Sequence, residues 1–191
     1  MKVKVQLVVC DNEGYEETIT DVVVLEKACQ RIEKVGLTLV EAKTLLTALQ
    51  QRFVERQTTT FIQSQACCRT CGTALCTKGH HSFTFWTLFG TITPKSPRFR
   101  HCQCMPHETA TCSPLTALLS EHAAPELLFM ETKWASLVCY GLTVQALEDV
   151  LPVTASLSVS TVRANTLSVA QRCEAELGDE QISFIDGCPR D

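Results

Sequence analysis

Cys68-Arg69-Thr70-Cys71 and Cys102-Gln103-Cys104 set four thiols in two close pairs thirty-odd residues apart. Thiolates are soft, negatively charged ligands, and two such pairs supply the four corners that a zinc ion prefers. In a Cys-x-x-Cys turn both sulfurs face one ion while nearby backbone N–H groups hydrogen-bond to them, and Gly72 directly after Cys71 suits the tight turn. The expected ligands are Cys68, Cys71, Cys102 and Cys104, holding a structural zinc with all four positions filled by protein. Alternatives remain open at this stage: Cys67 in place of Cys68, His101 or His107 in place of one of the second pair, and a contribution from Cys76 or Cys112. A redox reading of the Cys68 pair requires a strand before it and a helix opening at it in a βαβ setting, and the sequence shows no such setting.

Charge around these cysteines is one-sided. From Cys67 to His107 the chain carries Arg69, Lys78, Lys95, Arg98 and Arg100, besides His80, His81, His101 and His107, and no Asp or Glu. The formal net charge of the whole chain is -4, not that of a typical nucleic-acid binder, so the asymmetry is local. Lys78, Lys95, Arg98 and Arg100 are candidates for contacts to a DNA phosphate backbone. A second candidate set opens the stretch Val159 to Leu177. Val159, Val162, Thr166, Val169 and Cys173 form a helical stripe, leaving Ser160, Thr161, Arg163 and Asn165 near the exposed start. On a helix in the major groove, Arg reads guanine and Asn reads adenine.

The elements that must position these groups read as an α+β chain. Lys2 to Cys10 and Thr18 to Leu25 have strand character and flank the polar turn Asp11-Asn12-Glu13-Gly14, which predicts a hairpin. Thr38-Leu39-Val40-Glu41 is a capping box that starts a helix running to Arg56 or beyond. Its Leu39, Ala42, Leu46, Leu49 and Phe53 alternate at spacings of three and four, which serves either a core-facing stripe or a short coiled-coil seam. Between the cysteine pairs, strands are expected over Ser82 to Phe89, Thr91 to Thr93 and Arg98 to Cys102, with Gly90 or Pro94-Lys95-Ser96-Pro97 as the turn. This makes a zinc-ribbon-like hairpin. Ser113 and Pro114 then mark a helix start, and further helices are predicted over Pro125 to Tyr140, Val144 to Leu151 and Val159 to Leu177. The last two resemble a helix-turn-helix with a long connector, Pro152 to Ser158. The domain reading is 1–62 for the hairpin and long helix, 63–112 for the ribbon, 113–178 for the helical DNA-binding region and 179–191 for the start of a linker or catalytic domain.

Bulk properties bound the function. With 45% hydrophobic and 20% charged residues, the 191-residue chain reads as ordinary and globular. No apolar run reaches the roughly 18 residues that would cross a bilayer, and the start has no signal-peptide pattern, so the expectation is a cytoplasmic protein with no membrane partner. In that reducing setting twelve cysteines argue for metal rather than disulfides. Cys10, Cys29, Cys139, Cys173 and Cys188, scattered among apolar residues, are expected to be small core hydrophobes.

The run Pro125-Glu126-Leu127-Leu128-Phe129-Met130-Glu131-Thr132-Lys133-Trp134-Ala135-Ser136-Leu137-Val138 belongs with a set of shorter strings. These are Tyr140-Gly141-Leu142-Thr143, Thr161-Val162-Arg163, Phe184-Ile185-Asp186-Gly187-Cys188-Pro189, Thr87-Leu88-Phe89-Gly90 and Ser96-Pro97-Arg98. Together they resemble the ISKra-type transposases of bacterial insertion sequences over nearly the whole chain. The resemblance implies a zinc-binding, DNA-binding front part that recognises transposon ends in double-stranded DNA, with self or a full-length transposase as a further partner. It also implies a following catalytic domain in which Asp, Asp and Glu hold two divalent metal ions. The sequence reaches Asp191 where that domain is expected to begin, and Asp186 and Asp191 alone make no two-metal site. The expectation is therefore a truncated, catalytically inactive transposase part with no catalytic residue. The alternative is a stand-alone zinc-binding transcriptional regulator or transposition inhibitor.

Overall fold

The computed structural model describes residues 1–10, 13–27, 32, 35–104, 111–119, 121–153 and 157–177. Asp11, Asn12, Cys29, His107, Gly178, Asp186, Cys188, Asp191 and the whole of 179–191 lie outside them. The fold is mixed α+β, built from three small antiparallel sheets and five helices among the described residues. In chain order these are β1 (Lys2–Cys10), β2 (Glu16–Glu26), α1 (Leu39–Ser64), β3 (Thr77–Ser82), β4 (Phe85–Thr87), β5 (Gly90–Ile92), β6 (Lys95–Arg100), β7 (Thr111–Cys112), α2 (Pro114–Leu118), α3 (Pro125–Ala135), α4 (Tyr140–Val150) and α5 (Val159–Leu177).

β1 and β2 pair antiparallel as the alternation predicts, with register shifts at Val5/Gln6 and Val9/Cys10. An isolated hairpin is marginal in water, and this one leans on α1. The capping box forms: Glu41 N–H donates to Thr38 Oγ1 at 3.3 Å and Thr38 N–H to Glu41 Oε2 at 2.8 Å. Lys27 adds its ammonium to the same carboxylate. Of the expected stripe on α1, Leu39, Leu46 and Phe53 stay exposed. The side of α1 turned to the rest of the molecule is a different one: Thr47 lies against Gly90, Lys43 donates to Glu148 O at 2.6 Å, and Val54, Thr58 and Phe61 border β4, β5 and α2.

The central segment nests one hairpin inside another. β4 and β5 form the inner hairpin, with Leu88-Phe89 at its turn, and β3 and β6 form the outer pair. Thr87 Oγ1 donates to Gly90 O at 2.7 Å and accepts from Phe89 N–H at 3.2 Å, and Gly90 takes φ +115°, so the turn falls at Thr87–Gly90. The other expected turn, Pro94 to Pro97, is strand instead from Lys95 onward. Pro97 is tolerated there because β7 pairs only with Phe99 and Arg100, so among the described residues no strand pairs with that side of β6 at Pro97. β6 alternates strictly over its last residues, with Phe99 buried between exposed Arg98 and Arg100. Ser113 stands at the N-cap of α2 as expected, yet its hydroxyl donates to Ser96 Oγ at 2.8 Å; Ser96, buried on β6, accepts from Leu115 N–H at 3.3 Å in its place.

The helical part has its own core of Leu147, Leu157 and Val162, with Met130, Ala135, Tyr140, Val144, Leu151 and Val153 around it. Trp86 of β4 joins it to the nested hairpins, its carbonyl accepting from Ala124 N–H and its N–H donating to His122 O, both at 2.8 Å. The boundary between the two helices expected over Pro125 to Tyr140 and Val144 to Leu151 falls earlier: α3 ends at Ala135, Cys139 is an extended N-cap, and α4 opens at Tyr140. Gly141, directly after the expected end at Tyr140, lies in the first turn of α4. The break is local, since Ser136 Oγ turns back onto Lys133 O at 2.7 Å while Thr143 Oγ1 bonds Cys139 O at 3.2 Å. Those of the scattered cysteines that are described are not core residues: Cys10, Cys139 and Cys173 are exposed. Cys173 lies beyond the packed part of α5, whose residues from Ala170 onward are all exposed.

Candidate metal centre

α1 delivers the first thiol pair and β6 the second. After α1 the chain makes a small loop fastened by Leu75 N–H to Ala66 O and Cys68 N–H to Thr73 O, each at 2.8 Å, and by Gly72 N–H to Cys68 O at 2.9 Å. Gly72 takes φ +71°, a left-handed conformation that glycine adopts without strain. At the other end, Arg100 N–H donates to Cys76 O at 2.9 Å, which fixes where β6 releases Cys102 and Cys104.

The four sulfurs converge. Cys68 and Cys104 lie 3.4 Å apart, Cys71 and Cys102 3.4 Å, and Cys71 and Cys104 3.7 Å, with all four within 4.8 Å of one another. Four sulfurs at the zinc–thiolate bond length around a tetrahedral ion would be separated by about 3.8 Å. The cluster is thus close to metal-binding size, and an all-sulfur set suits zinc or iron. The remaining candidates stand apart from it among the described residues: Cys67 bridges to Ala74, Cys76 precedes β3, Cys112 is in β7, and His101 is not in the cluster.

Proton affinities in the cluster follow from its geometry. Backbone N–H groups of Cys71 and Thr70 lower Cys68, and Thr73 beside Cys71 holds that thiol down at about 6, its hydroxyl 3.3 Å from the sulfur. Cys104, crowded by Cys68 and Cys102, is pushed up to about 12. The peptide therefore favours the first thiolates and mutual repulsion resists the last, a conflict that a bound dication relieves.

The polar residues singled out from the sequence are distributed over two surfaces. Lys78, Lys95, Arg98 and Arg100 are exposed on the β3–β6 ribbon, with Lys78 at the register shift between Thr77 and Gly79 and Arg98 across from Gly79. Ser160 and Arg163 are exposed on the first turns of α5. Thr161 is half-buried, with its hydroxyl 2.8 Å from Ser158 Oγ. Asn165 faces inward: its Nδ2 donates to Glu131 Oε2 at 2.7 Å. One of its amide hydrogens is thereby taken up inside the fold. Sequence reasoning missed Glu131 itself, which is 0% exposed in α3. The signal was present, because Glu131 follows Leu127 and Leu128 at helical spacing on the buried side of α3.

Comparison of the chain with known protein families, with curated proteins and with solved structures gives no match. No helix among the described residues is long and apolar enough to cross a membrane.

Proposed function

We propose that the chain is a zinc-stapled, double-stranded-DNA-binding part of an insertion-sequence transposase, recognising the ends of its element. The observation that carries it is the strand β6: it leads into Cys102 and Cys104, and it exposes Arg98 and Arg100 with no carboxylate partner among the described residues. Unpaired cations on a rigid strand are suited to phosphate oxygens. Zinc, held by Cys68, Cys71, Cys102 and Cys104, would supply a structural cross-link; the resulting β3–β6 hairpin is then a zinc ribbon whose outer surface also carries Lys78 and Lys95.

The helices α4 and α5 serve in this reading as a helix-turn-helix-like unit with α5 as its reader. Glu148 and Asp149 are exposed on α4 and would repel phosphate, whereas α5 offers Ser160 and Arg163. The resemblance to ISKra-type transposases supports the choice of transposon ends as the target. The test is a mobility shift on duplexes carrying the element's terminal repeats against random duplex of equal length. Arg98→Ala should weaken binding to both alike and lower the salt slope by about 1, whereas Arg163→Ala should reduce the preference for the ends. Equal affinity for ends and random duplex would defeat end recognition, and identical behaviour of the two variants would defeat the division between ribbon and helix.

A further inference from the structure

α3 and α5 pack closely, and the polar contact between them is made by a buried acid. Glu131 Oε2 accepts from Asn165 Nδ2 at 2.7 Å, while Glu131 Oε1 is buried with no hydrogen-bond partner among the described residues. A cavity of about 20 Å³ adjoins the pair. Its walls are Trp86 and Thr87 from β4, Thr91 from β5, Val153 and Leu157 from the stretch before α5, and Thr161 beside Asn165 on α5. Glu131 is the titratable group in this lining; α5 presents Asn165 and Thr161, β4 and β5 present Trp86, Thr87 and Thr91, and none offers a cation. The charged side chains of the packed helices point elsewhere: Glu126 and Lys133 on α3, Glu148 and Asp149 on α4, and Arg163, Glu174 and Glu176 on α5 are exposed, and Arg172 pairs with Glu121 at 3.0 Å.

We propose that the Glu131–Asn165 pair is a proton-operated latch that positions α5 against α3. A carboxylate with one amide donor and no counter-cation is costly in such a place, so the neutral acid is the form the fold accepts. Burial pushes its proton affinity up, and the Asn165 hydrogen bond offsets this only in part. Because the folded value lies above the unfolded one, the latch's contribution is fully present below the ordinary carboxyl range. It is lost as pH rises through the raised value. Resting on the DNA reading above, the latch also governs how α5 presents Ser160 and Arg163, so an ionised Glu131 loosens the reading helix while leaving the cysteine centre intact.

The decisive experiment measures melting of the full chain by circular dichroism from about pH 4 to pH 9, comparing wild type with Glu131→Gln. The wild type should lose about 3–5 °C per pH unit across the titration window relative to Glu131→Gln, which keeps the amide contact and carries no proton to lose. Coincident profiles would overturn the latch. Carbon-13 NMR of the wild-type Glu131 carboxyl decides independently of whether the variant folds: a titration midpoint above the ordinary 4.5 supports the proposal and one at or below it refutes it. Binding of a terminal-repeat duplex over the same pH range tests the underlying DNA reading. No duplex binding at any pH would sink that reading alone, since melting and NMR still judge the latch.

Discussion

Removing the thiol pair Cys68 and Cys71 should cost the protein its metal and a calculable part of its stability. A zinc ion held as proposed would join Cys68 to Cys104 and Cys71 to Cys102, across 36 and 31 positions of chain. A cross-link closing a loop of that size restricts the unfolded chain by about 4 kcal/mol in the loop-entropy treatment. For a chain of this length each kcal/mol moves the melting temperature by about 2–4 °C. Cys68→Ser with Cys71→Ser should therefore bind no zinc and melt about 8–15 °C below the zinc-loaded wild type. Wild type stripped with a chelator should fall by the same amount and recover when zinc is restored. Metal analysis by mass spectrometry and calorimetric melting read the two quantities. A wild-type protein purified without metal that takes up none when supplied, or melting unmoved by chelation, would refute the cross-link.

Local caps and turns give sharper, smaller effects. Thr38→Ala should lower stability by about 1 kcal/mol, seen as a modest drop in melting temperature, because Glu41 N–H loses its cap. The Lys27 ammonium, with the Thr38 N–H and hydroxyl, holds Glu41 down at about 2. Its contribution is thus present above the ordinary carboxyl range near 4.5 and disappears as pH falls toward 2. Glu41→Gln should flatten the acid side of the melting profile. At Gly90 an added Cβ would meet Thr47 Cγ2 at 3.2 Å in a backbone with φ +115°, so Gly90→Ala should cost about 1–3 kcal/mol. Gly141→Ala meets nothing within 4 Å and should be neutral or stabilising, and equal losses at both sites would contradict the turn geometry.

What the sequence determined by itself were features set within a few residues. The Thr38–Glu41 box, the limits of α5 at Val159 and Leu177, and the strand Lys2–Cys10 follow from capping, periodicity and alternation, which act between near neighbours. The thiol pairs were legible for the same reason, though sequence spacing left Cys67, Cys76, Cys112 and His101 as rivals. Convergence of β6 on the loop after α1 chose Cys68, Cys71, Cys102 and Cys104. A glycine reads as a helix stop, yet packing of Thr143 and Leu147 beneath α4 puts Gly141 in its first turn. The same holds for the apolar stripe of α1, the exposed cysteines, and Asn165. Polarity alone marked Asn165, and only the fold shows that an acid 34 positions away takes up one of its amide hydrogens. Side-chain type limits what a residue can bond to; only the assembled fold brings the partner within reach and takes away the competing water.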